Sequence, residues 1–228
     1  MKRIKQLFKT ATPVKWLFYG DSITHGSFHT HGWRSYSELF NERIRYELLR
    51  LQDIVINTAI SGDTTNGLLS SFDWRVKQFT PDVIFLMIGM NDCCGGSLKR
   101  GVFEKNLNLL VDKFNELEAI TVMQTTCPVI SHNADEREPY QTYIGNYMDT
   151  VRKVAAERNL PLIDHYAFWL KNVQSQLFWH SDAIHPNEYG HRVFSHYIFR
   201  CLGIFDEASP TCSLDISIKP GTVYISSE

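Results

Sequence analysis

The chain has 228 residues, of which 43% are hydrophobic and 21% are charged, and its formal net charge is −2. This is the composition of an ordinary globular protein, and the length suits one sizeable domain with a full core. The near-neutral charge argues against nucleic acid or an anionic membrane surface as a partner, and no apolar run approaches the roughly 20 residues that span a bilayer.

Five short runs of apolar and β-branched residues are predicted to be strands. In chain order they lie at 14–19, 53–58, 82–88, 120–125 and 162–164. Runs this apolar are typical of strands that are buried on both faces, as in a parallel sheet.

Helical patterns fill the gaps between these runs. The clearest lies at 103–117, where apolar residues recur on one helical face, and a second stripe runs over 140–154. Shorter candidates lie at 36–49 and 68–79, and a helix at 186–199 is expected to close the main domain. The alternation predicts a three-layer α/β/α fold with a doubly wound, five-stranded parallel sheet.

We expect residues 1–205 to form this domain and residues 206–228 to form a C-terminal extension. Short β-like runs flank Lys219, Pro220 and Gly221, which could form a turn. A hairpin added to the domain, a tail and the start of a further module all fit this pattern.

The cysteines do not look like a disulfide framework. There are five of them, an odd number, and Cys93 and Cys94 are adjacent. The basic residues 1–9 are not followed by the apolar core of a signal peptide. We therefore expect free thiols and a cytoplasmic location.

Polar clusters follow the first three predicted strands. They are Gly20-Asp21-Ser22, Gly62-Asp63 and Asn91-Asp92. In open α/β sheets, ligands bind at the carboxyl ends of the strands. The three clusters are therefore expected to meet at one site.

Ser22 is a candidate nucleophile because it follows directly after a strand, in a turn that leads towards a helix. A serine hydroxyl needs a base and hydrogen-bond donors for the oxyanion before it can attack. The same tripeptide would equally fit a strand-to-helix turn with a capping residue.

The C-terminal motif Asp182-Ala183-Ile184-His185 supplies the missing partners. An acid three residues before a histidine can reach one imidazole nitrogen and leave the other to face the nucleophile. Pro186 suits the first turn of a following helix, which would hold His185 at the start of that helix.

Four sequence blocks resemble, in order, the diagnostic blocks of the GDSL/SGNH hydrolases. They are Gly20-Asp21-Ser22-Ile23, Ser61-Gly62-Asp63, Gly89-Met90-Asn91-Asp92 and Asp182-Ala183-Ile184-His185. The resemblance spans about 14–200. It implies the flavodoxin-like SGNH fold and a carboxylic ester hydrolase that works without a metal or cofactor.

The resemblance also implies a role for each matching residue. Ser22 would attack the ester carbonyl and become acylated, and His185, oriented by Asp182, would act as base and then as acid. The oxyanion would be held by the backbone N–H groups of Ser22 and Gly62 and by the side-chain amide of Asn91.

Other acids and bases compete for these roles. Asp164, at a predicted strand end, is the main rival for the orienting acid, and His180 is a rival base. Asp21, Asp63 and Asp92 are expected to fix the turns through hydrogen bonds to loop N–H groups rather than to bind a metal.

Two further clusters could suggest chemistry of another kind. His25, His29 and His31 could form a zinc site, but no cysteine or carboxylate lies at a convincing ligand spacing, so pocket lining or surface positions are favoured. Nothing supplies a base for Cys93 or Cys94.

The substrate is the least determined feature. Asp21, Phe28, Trp33 and Trp179 are expected to line the pocket. The second block is similar to that of thioesterases and lysophospholipases, whereas the third is similar to that of small-acyl and carbohydrate esterases. We favour short acyl groups, above all acetyl, on a carbohydrate or other small molecule. The alternatives are a lysophospholipase or thioesterase for longer chains and a catalytically silent carbohydrate-binding protein.

Overall fold

The computed structural model describes residues 1–130 and 138–216. Within these residues, five parallel strands form one sheet in the order β2-β1-β3-β4-β5. The strands are β1 Lys15–Gly20, β2 Ile54–Asn57, β3 Val83–Met87, β4 Ile120–Gln124 and β5 Leu162–Ile163. The α/β fold and the five predicted strands are confirmed.

The strand order places a topological switch between β1 and β3. The chain passes from β1 to β2 on one side and then returns to β3 on the other side of β1. Because ligands in such sheets bind at the carboxyl ends of the strands beside the switch, the site is expected just after β1 and β3.

Helices cover both faces of the sheet. Their bounds are α1 Lys2–Leu7, α2 Ser22–His25, α3 Tyr36–Glu42, α4 Thr65–Ser70, α5 Phe72–Arg75, α6 Gly96–Glu116, α7 Glu138–Glu157, α8 His165–Lys171, α9 Val173–Trp179 and α10 Glu188–Leu202. None of the helices in the described residues is both long and apolar enough to cross a membrane.

Local sequence explains where the main helices begin and end. Ser35 and Glu38 form a capping box at the start of α3. The Asn187 side chain accepts from two backbone N–H groups at the start of α10, and that helix ends at Gly203 in the left-handed conformation.

The core consists of large aromatic side chains on both faces of the central strands. On one face, Phe18 stacks on Phe85 with ring centroids 4.8 Å apart, and Phe40 of α3 meets Phe18 edge-on at 5.2 Å. On the other face, Tyr19 meets Phe114 of α6 at 6.4 Å. This alternation of neighbouring β1 residues holds the strand end rigidly between two helical layers.

The structure corrects three expectations about elements. Strand β2 is not buried on both faces, because it forms the edge of the sheet and leaves Ile54 50% exposed. The predicted helix at 68–79 is broken into α4, α5 and a 3₁₀ turn, Lys77–Phe79. The helix predicted at 36–49 continues beyond α3 only as a π-helical turn, Arg43–Glu47.

The described part of the extension packs against the main domain. The backbone N–H and the hydroxyl of Thr211 both donate to the carboxylate of Glu47, at 2.8 and 2.6 Å. The indole of Trp179 donates to the carbonyl of Ile216 at 2.7 Å. The hairpin predicted around Lys219, Pro220 and Gly221 lies outside the described residues.

Candidate active site

Ser22 is the first residue of α2, directly after β1 and the capping residue Asp21. The Asp21 carboxylate accepts from the backbone N–H of Ile23 at 3.0 Å, which closes the turn. The first N–H groups of any helix have no acceptor within that helix, so the N–H of Ser22 is oriented to donate outward. This arrangement places the hydroxyl of Ser22 beside its own backbone N–H group, which can donate to a substrate.

The loop before α10 brings His185 to Ser22. The Nε2 atom of His185 lies 2.9 Å from Oγ of Ser22, across 163 residues of sequence, and its Nδ1 atom lies 2.8 Å from Oδ2 of Asp182. The backbone N–H groups of Ile184 and His185 donate to Oδ1 of Asp182 at 2.8 and 3.0 Å. One short loop therefore fixes both the acid and the imidazole.

These contacts determine the charge of Asp182 and which ring nitrogen of His185 carries the proton. Burial alone would raise the pKa of Asp182, but the hydrogen bonds from His185 and Ile184 together lower it below its usual value. An ionised Asp182 keeps the proton of His185 on Nδ1. The other nitrogen, Nε2, is then an acceptor that can take the proton of Ser22.

Gly62 and Asn91 lie on the loops that follow β2 and β3. Gly62 has φ of +81°, a left-handed conformation that favours glycine, and a Cβ atom there would point into open space. The side-chain amide of Asn91 donates one hydrogen to the carbonyl of Asp63 at 2.8 Å. An amide carries two hydrogens, so its second one remains for an oxyanion.

Arg75 connects the end of β1 with the loop that carries Gly62, and its role was not predicted from the sequence. Its guanidinium donates to the carbonyls of Thr58 and Gly20, at 2.7 and 3.2 Å, and forms an ion pair with Asp63. Its side chain is buried and lies over the ring of Tyr19. No motif marks this arginine, because its partners lie at the end of β1, directly after β2 and further along the loop that follows β2.

The three aspartates beside the site fix turns, as expected. Asp21 accepts from Ile23, Asp63 from the N–H of Thr64, and Asp92 from both the N–H and the hydroxyl of Thr65. Burial raises the pKa of Asp21 to about 7, and the nearby charges of Asp92 and Asp63 add to that effect.

The structure commits both rival residues to other partners. Asp164 accepts from Arg152 at 2.7 and 2.9 Å and caps α8 through the N–H of Ala167. The two ring nitrogens of His180 face the carbonyls of Gln176 and Pro128. Neither side chain contacts Ser22.

His25, at the end of α2, and the histidines of the following loop do not converge on one another. His25 lies 3.1 Å from the hydroxyl of Ser61, and His31 pairs with Glu188 at 3.2 Å. His29 instead lies beside Asp182 and His185. Each of the three side chains has one possible metal-ligand atom, and these atoms lie within 4.8 Å of one another, a spacing that a metal ion could bridge. Two of those residues are already hydrogen-bonded to each other at 2.8 Å.

Two of the residues expected to line the pocket are instead buried. Asp21 is 1% exposed, because its side chain turns towards the backbone at the start of α2 and caps that helix. Trp179 is also 1% exposed and packs edge-on against Trp169 in the core. The prediction was wrong for both, since nearness to a motif in sequence does not determine the direction of a side chain.

The other two expected pocket residues, Phe28 and Trp33, are exposed and line a groove of about 440 Å³. His25, at the other end of α2 from Ser22, also lines this groove. Polar side chains, among them Glu38 and Asn57, form much of its wall.

The thiol of Cys127 donates to the carbonyl of Ile184, in the loop that carries Asp182 and His185, at 3.4 Å. All five cysteines are unpaired, and Cys93 is buried, which raises the pKa of its thiol. Its Sγ atom donates to the carbonyl of Met90.

Comparison with known sequences supports the same reading of the chain. A model of the GDSL-like lipase/acylhydrolase family matches residues 18–193. An acetylxylan esterase of Geobacillus stearothermophilus is 26% identical over 86% of this chain and 96% of its own length. An arylesterase of Vibrio mimicus is 29% identical over 75% of this chain and 80% of its own length.

A third relative matches this chain over only a small part of its own length. An uncharacterized protein of Mycoplasma pneumoniae is 36% identical over 115 residues, which are 48% of this chain and 13% of that protein. Among solved structures, a mutant of an acetyl-xylooligosaccharide esterase from Geobacillus superposes with a TM-score of 0.70 at 23% identity, over 85% of this chain and 97% of the other. At that identity the likeness shows a shared fold.

Proposed function

The chain belongs to the GDSL-like lipase/acylhydrolase family and is a carboxylic ester hydrolase, and from that premise we propose that it acts through an acyl–Ser22 intermediate on short acyl esters. The observation that carries this proposal is the imidazole of His185, which bridges Ser22 at 2.9 Å and Asp182 at 2.8 Å. A serine with this pair of partners is an activated nucleophile.

The first half of the reaction forms the acyl enzyme. Oγ of Ser22 attacks the carbonyl carbon of the ester while Nε2 of His185 takes the hydroxyl proton. The negative charge that develops on the carbonyl oxygen is stabilised by the N–H groups of Ser22 and Gly62 and by the amide of Asn91. His185 then gives its proton to the departing alcohol.

The second half releases the acid. His185 takes a proton from water, the resulting hydroxide attacks the acyl carbon, and the same donors stabilise the second oxyanion. Collapse of that intermediate returns the proton to Ser22. Asp182 stays ionised throughout and stabilises the imidazolium that forms twice in each cycle.

We propose acetyl esters of a carbohydrate or similar small molecule as substrates. The related acetylxylan esterase supports this choice, and it matches most of both chains. The groove next to His25 adds support, because Phe28 and Trp33 offer flat apolar faces and Glu38 offers a hydrogen-bonding group. Sugars are bound by this combination of aromatic faces and polar groups.

A chain-length series tests the substrate proposal. We expect kcat/KM for p-nitrophenyl esters to be greatest for acetyl and to fall by at least about 10-fold by octanoyl, and we expect release of acetate from acetylated xylo-oligosaccharides. A preference for long chains or for acyl-thioesters would favour a lysophospholipase or thioesterase. Sugar binding without turnover of any ester would support a catalytically silent binding protein and would contradict the proposed function.

A further inference from the structure

The ring of His29 lies flat against the ring of His185. The two ring centroids are 3.6 Å apart and the ring planes are 6° from parallel. His29 belongs to the loop after α2, 156 residues before His185 in the sequence. The mechanism described above does not use it.

Further contacts hold His29 in this position. Its Nδ1 atom lies 3.5 Å from the hydroxyl of Ser181 and 3.7 Å from Oδ2 of Asp182. The ring of Phe28 stands edge-on to the His29 ring, with centroids 5.3 Å apart and planes at 86°. The side chain is 19% exposed, so it covers His185 and is itself mostly covered.

The backbone of this loop adopts costly conformations on both sides of His29. Phe28 has φ of +73° and His31 has φ of +52°, which are left-handed values that non-glycine residues rarely adopt. Such conformations persist only where surrounding contacts impose them, and they are concentrated at functional sites. Here they let Phe28 face solvent, 88% exposed, while His29 turns inward.

The His29 ring, parallel to the His185 ring and 3.6 Å from it, restricts the movement of the imidazole that transfers the Ser22 proton. An imidazole makes its hydrogen bonds in the plane of its ring, so both bonds of His185, to Ser22 at 2.9 Å and to Asp182 at 2.8 Å, depend on the orientation of that plane. A rotation of that ring out of its plane would lengthen both at once. The stacked His29 ring blocks such a rotation on one face and excludes water from that face.

We propose that His29 is a positioning residue that holds the plane of the His185 imidazole through ring stacking. It acts through His185, whose ring it contacts. This inference rests on the proposed function, since it assigns a role in the transfer of the Ser22 proton.

Three variants of the full chain test the stacking. His29→Ala removes the ring, and His29→Phe keeps a flat ring but removes the nitrogens. His31→Asn is the matched control, because His31 lies in the same loop, is 62% exposed and contacts Glu188, and asparagine tolerates the left-handed backbone at this position. The readouts are kcat and KM for p-nitrophenyl acetate, the rate of labelling by a fluorophosphonate, and the melting temperature.

We expect His29→Ala to lower kcat and the labelling rate by about 10- to 100-fold with KM nearly unchanged, since small misplacements of a reacting group cost about this much. His29→Phe should recover most of that loss, and His31→Asn should behave like the wild type. The melting temperatures should not follow the order of the rates.

Two results would overturn the inference while leaving the proposed function intact: wild-type rates for His29→Ala, or a loss in His29→Phe as large as that in His29→Ala. The second result would assign the effect to the nitrogen that faces Asp182. An inert wild-type enzyme would instead contradict the proposed function itself, so the two failures are distinguishable.

Discussion

Single residues in this site are oriented mainly by their own short loops. Asp182 accepts from two N–H groups within three residues of itself and from the ring of His185, so acid and base form one local unit. Ser22 and its backbone N–H form another such unit at the start of α2. Folding then has only to bring the two units together. The reacting side chains are therefore already positioned, and little of their conformational entropy remains to be lost during the reaction.

Asn91→Ala should reduce kcat by about 10²- to 10³-fold, because it removes one donor from the developing oxyanion. KM should change little, since the donor is needed more in the transition state than in the bound ester. Steady-state kinetics with p-nitrophenyl acetate measures both constants.

Asn108→Ala is the control for that variant, because Asn108 lies on α6 and bonds to Glu104 and Arg158 away from the site. It should keep wild-type kinetics. A folded Asn91→Ala enzyme with unchanged kcat would mean that Asn91 does not donate to the oxyanion.

Asp21 gives the stability of the fold a defined pH dependence. Burial raises its pKa from 3.8 to about 7. Between these values the native state keeps a proton that the unfolded chain has released. Unfolding then releases a proton, and the free energy of unfolding falls as pH rises, by at most about 1.4 kcal/mol per pH unit from this group.

Asp21→Asn should remove this contribution, because the amide oxygen can still accept from Ile23 and carries no charge. Urea unfolding of both proteins at a series of pH values measures it. The variant should gain stability relative to the wild type as pH rises from about 4 to 7. A stability difference that does not vary with pH over that range would show that Asp21 is ionised throughout.

At the scale of elements, Arg75 is the link between the ends of β1 and β2 and the loop that carries Gly62. Arg75→Ala should lower the free energy of unfolding by about 3–5 kcal/mol, because it leaves the carboxylate of Asp63 buried without its partner. It should also reduce kcat, since the carbonyl of Asp63 accepts from Asn91. Urea unfolding and steady-state kinetics measure the two effects.

Trp74→Ala is the matched control for Arg75, because Trp74 is its neighbour in α5 and is 73% exposed. It should change the free energy of unfolding by less than about 0.5 kcal/mol. Equal effects of the two substitutions would contradict the linking role of Arg75. The double variant Arg75→Met with Asp63→Asn should recover part of the stability, because it removes both charges.

Sequence patterns predicted the strands and helices in which the burial of side chains follows one regular pattern from end to end. β3 is buried along its whole length, and α6 keeps one apolar face over several turns, so both are visible in the sequence. The helices α8 and α9 have seven residues each, which is too short for a clear helical period. The exposure of β2 depends on its place at the edge of the sheet, which local sequence does not encode.

At the scale of the whole molecule, the parallel sheet explains why the site could be predicted at all. Ser22, Gly62 and Asn91 follow three neighbouring strands, and the carboxyl ends of parallel strands meet at one edge. Side-chain direction and contacts between distant loops could not be predicted in this way. The burial of Trp179 and the stacking of His29 on His185 both depend on packing between segments that are far apart in the chain.

Activation of Ser22 is tested by intact-mass spectrometry after exposure of the protein to a fluorophosphonate. We expect one adduct per chain on the wild type and none on Ser22→Ala. An adduct on folded Ser22→Ala would place the reactive group elsewhere. A folded wild type that takes up no reagent would show that the hydrogen bonds among Ser22, His185 and Asp182 do not make Ser22 an activated nucleophile.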